Sequence, residues 1–325
     1  MRHSLTLAAA AVAITTAFAG SALAQTTLKI AYALAPNSHY GVAANSFNDN
    51  LQKLAPGRFK VEQFPSSALG GERETIESLQ LGNLEMVVTS SGPVINFVPE
   101  AGIMDIPFLF RDSAHARAAL DGAPGQEILA KFPAKGLVAL AWGEQGFRHL
   151  TNSKHAVNTP ADMKGLKLRT MENPVHMTAF RTLGASPTPM AWPEVIQGLQ
   201  QGTIDGQENP MSVIVSAKLP EVQKHLTLSR HVYSPALILI SKRTFDKLND
   251  SDKKAVQEAA KVAAKDMRAW VDGVEAKAVA DVKAAGMNVV EKVDTAAFQA
   301  ALAPAFEEYA KRFGKDKIEA IRNFK

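Results

Sequence analysis

The chain has 325 residues, of which 46% are hydrophobic and 21% are charged, and its formal net charge is +4 at pH 7. It contains no cysteine, which excludes disulfides, thiol catalysis and thiolate metal sites. The small positive excess is spread along the chain without a basic run or a zinc-finger spacing, so we expect no nucleic-acid partner.

The first 24 residues have the pattern of a secretory signal peptide. Arg2 and His3 form a basic start, residues 5–19 are apolar, and the small residues Ala22 and Ala24 mark a cleavage site before Gln25. The apolar stretch is shorter than the roughly 20 strongly apolar residues that a membrane span needs. We therefore predict that residues 1–24 are removed on export.

Strand and helix patterns alternate directly after this leader. The spacing predicts strands at residues 28–34, 59–64 and 84–89 and helices at residues 38–54 and 72–81. Such a β-α-β-α-β order indicates a parallel sheet flanked by helices. Ser90, Ser91 and Gly92 follow the third strand, at the edge where sheets of this kind bind ligands.

The same α/β pattern restarts in the second half of the chain. It predicts strands at residues 136–142, 166–169 and 237–241 and helices at residues 175–183 and 193–202. Two lobes connected by crossings near residues 142–148 and 233–237 fit this order. We assign residues 25–146 and 235–274 to lobe I and residues 147–234 and 275–325 to lobe II, with a cleft between them.

One long segment has a continuous helical pattern. Between Asp252 and Ala285 there is no proline and one glycine, Gly273, and apolar residues recur every three or four positions. At 1.5 Å per residue such a helix would be ~50 Å long, which exceeds the width of one lobe. We predict that it braces both lobes; the alternative is two consecutive helices.

The motifs of common enzymes are absent from the sequence. It has no G-x-S-x-G, no P-loop, no H-E-x-x-H and no G-x-G-x-x-G after a strand, and its eight histidines are scattered. We therefore predict no catalytic activity, no bound metal and no cofactor. A periplasmic enzyme on a similar scaffold stays as an alternative.

A basic side chain ends one of the predicted strands. Arg169 follows Leu166-Lys167-Leu168, so its guanidinium projects from the carboxyl end of the strand toward the cleft. The planar guanidinium matches a carboxylate through two parallel hydrogen bonds. Arg169 is therefore a candidate anchor for a carboxylate ligand.

The order of motifs resembles that of the substrate-binding proteins of tripartite ATP-independent periplasmic (TRAP) transporters. The resemblance covers essentially the whole mature chain, and it rests on the segments at residues 69–73, 81–85, 105–110, 146–152, 161–169, 184–190 and 205–210. It implies a two-lobed periplasmic binding protein, a monomer, that closes on a small organic acid and delivers it to the membrane subunits of the transporter. A binding subunit of an ATP-driven importer is the alternative.

The resemblance also implies which residues contact the ligand. Arg169 matches the arginine that clamps the carboxylate, Asn209 the asparagine that closes on it, Arg148 a second basic contact and Trp192 an aromatic wall. On the first lobe, Glu72, Ser90 and Ser91 would face the far end of the ligand. The remaining candidates are His39 and Tyr40, which open the first helix where family members often contact the ligand, and Glu172.

Two of these positions depart from the sialic-acid-binding members of the family. Those members have a glutamate where this chain has Ser90 and an asparagine where it has Glu172. The polar groups that would bind sialic acid are therefore replaced, and we expect a smaller hydroxylated or aromatic acid. The motifs of the sodium-dependent 2-oxoacid members are likewise not evident.

Overall fold

A computed structural model describes residues 25–325, so the predicted signal peptide lies outside the described residues. The strands are β1 (Thr26–Tyr32), β2 (Phe59–Phe64), β3 (Met86–Ser90), β4 (Leu137–Asn152), β5 (Lys167–Thr170), β6 (Ser186–Pro189), β7 (Gly206–Pro210), β8 (His225–Ser241) and β9 (Asn288–Val290). The helices are α1 (His39–Leu54), α2 (Glu72–Leu81), α3 (Ser91–Val94), α4 (Ser113–Asp121), α5 (Ala123–Leu129), α6 (Pro174–Thr182), α7 (Trp192–Gln201), α8 (Met211–Ser216), α9 (Lys242–Asp246), α10 (Asp250–Ala284), α11 (Thr295–Ala301), α12 (Ala303–Phe313) and α13 (Lys315–Arg322). Short 3-10 turns occur at Pro99–Asp105, Pro133–Lys135, Pro160–Met163 and Leu219–Glu221.

The strands form one mixed sheet in the order β2-β1-β3-β8-β4-β7-β5-β6, with β9 beside β8. Strands β1–β3 are mutually parallel and fall within predicted lobe I, whereas β5–β7 are mutually parallel and fall within predicted lobe II. The long antiparallel strands β4 and β8 connect them, because β8 pairs with β3 and β4 pairs with β7. The predicted two-lobed α/β fold is confirmed.

The crossings between the lobes are these two long strands. The sequence patterns predicted only the lobe I ends of β4 and β8, with crossings near residues 142–148 and 233–237. The β4–β8 register shifts between Glu144 and Gly146 and again between Arg148 and Leu150. Such bulges bend a strand without ending it, and Gly146 adopts a positive φ of 112° at this point. Strands β4 and β8 therefore both continue from one lobe into the other.

Local capping explains why the predicted helices of lobe I form where they do. Ser38 is the N-cap of α1, and its side chain accepts a hydrogen bond from the Gly41 N–H. Helix α2 has the predicted bounds and ends at Gly82, which adopts a left-handed φ of 78°. Helix α1 thus presents His39 and Tyr40, and helix α2 presents Glu72, in the first turn of each helix.

The predicted brace is confirmed as one uninterrupted helix. Helix α10 has 35 residues, and Gly273 does not break it. Its first half packs Val256, Ala263 and Met267 into the apolar core of β1, β8 and α1. Its second half packs Ala278 and Val282 into a separate core with α7 and α8. The helix therefore contacts both lobes.

The C-terminal helices also contact both parts of the molecule. The Arg111 guanidinium donates to the Arg322 carbonyl oxygen at 2.7 Å, which holds α13 against residues 111–128. The Tyr309 hydroxyl donates to the Val175 carbonyl oxygen at 2.7 Å, which holds α12 against α6. The assignment of residues 275–325 to lobe II, like the other lobe boundaries, stays a prediction. No helix within residues 25–325 is long and apolar enough to cross a bilayer.

Candidate functional site

A small cavity lies between the lobes, at the carboxyl ends of β1, β5 and β7. The first turns of α1, α2 and α7 close its sides. It encloses at most about 280 Å³ and is lined by Ala33, Leu34, Tyr40, Glu72, Gln145, Arg169, Met171, Trp192, Asn209 and Val213. Five of the ten predicted contact residues, namely Arg169, Asn209, Trp192, Glu72 and Tyr40, are therefore brought together here.

Arg169 is a buried cation without an acidic partner. Its side chain is 3% exposed, and its Nε and Nη2 donate to the Met190 carbonyl oxygen at 3.0 and 2.8 Å. Within residues 25–325 it forms no salt bridge, and burial lowers its pKa to about 10. A guanidinium has five N–H donors, so donors are left over for a ligand. An anion in the cavity would offset the cost of burying this charge.

The sheet places Asn209 on the same side as Arg169. Arg169 in β5 pairs with Gln207 in β7, and side chains two residues apart on a strand point to the same face. The Asn209 Nδ2 donates to the Gln207 side-chain oxygen, which fixes the amide beside Arg169. The guanidinium and the amide together supply the planar set of donors that a carboxylate accepts.

The opposite wall is an acceptor network centred on Glu72. The Tyr40 hydroxyl donates to Glu72 Oε1 at 3.1 Å and accepts from the Gln145 side-chain amide. The Ser90 N–H donates to Glu72 Oε1 at 2.7 Å, and the Ser90 hydroxyl donates to Oε2 at 3.0 Å. Burial, followed by the charge of Glu72, raises the pKa of Tyr40 well above its usual value. The hydroxyl therefore keeps its proton and stays a donor.

Arg148 lies behind the cavity instead of lining it. The side chain is fully buried and donates to both carboxylate oxygens of Glu208, with Nη2 at 2.9 Å from Oε1. Its Nη1 also donates to Gln145 Oε1 at 3.3 Å. Burial by itself would raise the pKa of Glu208, but the charge of Arg148 lowers it below the usual range. Direct contact between Arg148 and a ligand stays a prediction, whereas its contact with Gln145 positions a cavity residue.

The other four candidates also lie outside the cavity lining. Ser90 is buried behind Glu72, and the Ser91 hydroxyl donates to Asp105 Oδ1 at 2.7 Å. His39 is fully buried against Tyr40 and Trp270, and burial lowers its pKa to about 3. The Glu172 carboxylate accepts from Arg73 at 3.4 Å across the cleft. Ligand contacts of these four residues stay predictions.

Sequence reasoning missed two polar or polarisable lining residues, Gln145 and Met171. Gln145 follows the apolar run of β4 directly after Glu144, and the sequence does not show which of these two polar residues faces the cavity. Met171 follows β5 directly, and nothing in the sequence marks it. Within residues 25–325, no group of three or more acidic or histidine side chains is arranged to hold a metal ion.

Comparisons with known proteins agree with this architecture. The family model of bacterial extracellular solute-binding protein, family 7, matches residues 30–312. A solute-binding protein of Verminephrobacter eiseniae is 56% identical over 303 residues, which cover 93% of this chain and 90% of that protein. The 2,3-diketo-L-gulonate-binding periplasmic protein of Escherichia coli is 41% identical over 286 residues, which cover 88% of this chain and 87% of that protein.

A solved structure shares the fold over nearly its whole length. A TRAP periplasmic solute-binding protein from Polaromonas sp. JS666, bound to D-erythronate, is 54% identical with a TM-score of 0.91. The similarity covers 93% of this chain and 99% of that chain. These matches confirm the resemblance noted in the sequence, and the chain belongs to the solute-binding protein family of TRAP transporters, a family of periplasmic transport proteins.

Proposed function

We propose that the protein is the periplasmic solute-binding subunit of a TRAP transporter, which captures a small organic carboxylate between its lobes and delivers it to the membrane subunits. The observation that carries this proposal is Arg169, a buried guanidinium in the cleft with unused donors and no acidic partner in the described chain. A ligand carboxylate would pair with Arg169 and accept a further hydrogen bond from Asn209.

Contacts across the cleft support capture by lobe closure. Three side chains of lobe I contact the segment after β5. The Asn96 amide donates to the Glu172 carbonyl oxygen at 2.7 Å, and Arg73 contacts the Glu172 carboxylate. The Ser90 hydroxyl oxygen lies 3.3 Å from Met171 Sδ. This segment follows Arg169 by two to three residues. An anion on Arg169 would therefore favour the closed arrangement in which these contacts form.

The ligands of the relatives support a small oxygen-rich acid. D-erythronate and 2,3-diketo-L-gulonate each carry one carboxylate and several oxygen atoms along a short carbon chain. The cavity has Arg169 and Asn209 on one side and Tyr40 and Glu72 on the other, so an acid within it meets polar groups at both ends. Its polar wall of Tyr40, Glu72 and Gln145 offers hydrogen-bonding partners to ligand hydroxyls.

Calorimetric titration of the mature protein with D-erythronate, pantoate and galactonate tests the proposal. Arg169→Lys keeps a positive charge but loses the two parallel hydrogen bonds, so we expect affinity to fall by tenfold or more, about 1.4 kcal/mol. The matched control is Arg181→Lys, because Arg181 is exposed and lies outside the cavity. Unchanged affinity in Arg169→Lys would contradict the paired-hydrogen-bond anchor.

Delivery requires a separate measurement. The protein is combined with vesicles that contain its TRAP membrane subunits, and uptake of the labelled acid is followed without ATP. We expect uptake to depend on the protein and to be lost with Arg169→Lys at low ligand concentration. Absence of protein-dependent uptake would contradict delivery to these subunits, and recovery of a chemically altered acid would indicate an enzyme.

A further inference from the structure

The charge balance of the cavity restricts the ligand beyond its carboxylate. Among the lining residues in the described chain, Arg169 is the one cation and Glu72 the one carboxylate. The two residues stand on opposite lobes, Arg169 on β5 and Glu72 at the start of α2. A ligand that spans the cavity therefore meets a positive group at one end and a negative group at the other.

The hydrogen bonds that Glu72 accepts fall mostly on one of its two carboxylate oxygens. A carboxylate has about four lone-pair sites, two on each oxygen. Oε1 already accepts from the Tyr40 hydroxyl and the Thr89 hydroxyl, both at 3.1 Å, and from the Ser90 N–H at 2.7 Å. Within residues 25–325, Oε2 accepts one hydrogen bond, from the Ser90 hydroxyl at 3.0 Å, so one of the two lone-pair sites of this oxygen is not used. The open lone pair on Oε2 suits a hydroxyl that donates.

The nearby cations are already paired and cannot offset a second negative charge. Arg148 is held by the buried Glu208 carboxylate. Arg73, on the rim, contacts Glu77 at 3.2 Å and Glu172 at 3.4 Å. A second ligand carboxylate beside Glu72 would thus meet a like charge in a partly buried place, which costs several kcal/mol.

From this geometry we infer that the site selects singly charged hydroxy acids of the aldonate type, with a ligand hydroxyl donating to Glu72 Oε2, and rejects dicarboxylates. This inference rests on the proposed function, because it presumes that the ligand carboxylate lies on Arg169. Glu72 then acts as a specificity residue: it accepts a hydrogen bond from a neutral hydroxymethyl end and repels a carboxylate at the same place.

Matched acid pairs isolate this effect. Each pair has the same carbon chain and the same hydroxyls but differs at the terminal carbon, which is a hydroxymethyl group in one and a carboxylate in the other. Suitable pairs are D-erythronate with meso-tartrate and galactonate with galactarate. Dissociation constants are measured by calorimetry at neutral pH for wild type, Glu72→Gln and Glu307→Gln. Glu307 is exposed and lies outside the cavity, so Glu307→Gln is the matched control.

For wild type and the Glu307→Gln control we expect the aldonate to bind ~100-fold or more tightly than its aldarate, and for Glu72→Gln we expect this ratio to fall below ~10-fold. A ratio near one in wild type, or a ratio that Glu72→Gln leaves unchanged, overturns the inference. If the acids still bind in an Arg169-dependent way, the proposed function survives that result. If no acid of either pair binds folded wild type, the inference and the aldonate class both fail.

Discussion

Arg148 and Glu208 form an ion pair in which both side chains are fully buried. Because the guanidinium contacts both carboxylate oxygens, removal of the arginine would leave the glutamate charge buried and unpaired. We expect Arg148→Met to lower the free energy of unfolding by about 3–5 kcal/mol, as measured by urea denaturation. The control is Lys261→Met, since Lys261 pairs with Glu258 on the surface and its loss should cost under about 1 kcal/mol. A small effect of Arg148→Met would show that Glu208 is solvated or neutral.

Substitution of Arg169 should have the opposite effect on the free energy of unfolding when no ligand is present. It is as buried as Arg148 but has no acidic partner within residues 25–325, and burial lowers its pKa to about 10. We therefore expect Arg169→Met to leave the urea stability of the ligand-free protein unchanged or to raise it, while acid binding is lost. Destabilisation comparable to that of Arg148→Met would contradict a purely ligand-directed role.

Arg148 has a buried acidic partner and Arg169 has none within residues 25–325, and the sequence alone could not predict this difference. Both lie in strands, and local pattern predicts helices well because capping residues such as Ser38 and Gly82 act within one turn. The partner of Arg148 is Glu208, 60 residues away on β7, and its position depends on how β4 pairs with β7. No local pattern carries that information, so both arginines were predicted to contact the ligand.

The same limit applies to the continuous strands β4 and β8. Glycines at 143 and 146 and Pro235 resemble strand ends, so the pattern predicted strands only at residues 136–142 and 237–241, whereas β4 and β8 continue through both crossings. A strand that passes from one lobe to the other must bend, and small residues such as glycine adopt the bent backbone with little conformational strain. Gln145, which lies between those glycines, became recognisable as a cavity residue only once both lobes were in place.

Glu275 on α10 should make stability depend on pH. Burial, partly opposed by the charge of Arg230 and reinforced by Glu144 and Asp272, raises the pKa of Glu275 to about 7. Because the folded-state pKa exceeds the usual value of 4.5, its contribution is fully present below that value and is lost as the pH rises through 7. We expect Glu275→Gln to reduce the loss of urea stability between about pH 5 and pH 8 by on the order of 1–3 kcal/mol. An identical pH profile in both proteins would contradict this.

The continuity of α10 can be tested with proline. Ala263 is fully buried in the interior of the helix, where proline removes a backbone hydrogen bond and clashes with the preceding turn. We expect Ala263→Pro to cost about 3 kcal/mol or more of unfolding free energy. Asp250→Pro is the control, because Asp250 is the first helical residue and proline is tolerated there. Equal stability of the two variants would mean that residue 263 does not lie in the interior of a packed, continuous helix.

Trp192 separates the ligand cavity from a second, more open pocket. Its ring lines both spaces, together with Ala33 and Leu34, and it lies 5.7 Å from the Arg169 guanidinium carbon. The second pocket is bounded by further residues of both lobes, namely Ala35, Ser66, Ser67, Pro193, Ile196, Ser216 and Ala217. The indole therefore limits how far a ligand on Arg169 can extend toward the pocket.

Removal of the indole should change which chain length the site prefers. In Trp192→Ala the two spaces become continuous, so a four-carbon acid loses its apolar wall and we expect its affinity to fall by about tenfold or more. A six-carbon acid such as galactonate loses the same wall but gains room to extend, so its affinity should fall less. Ile196→Ala, which alters only the second pocket, should leave the binding of the four-carbon acid unchanged. Calorimetry with D-erythronate and galactonate decides the matter, and an equal loss for both acids would mean that Trp192 covers the ligand without setting its length.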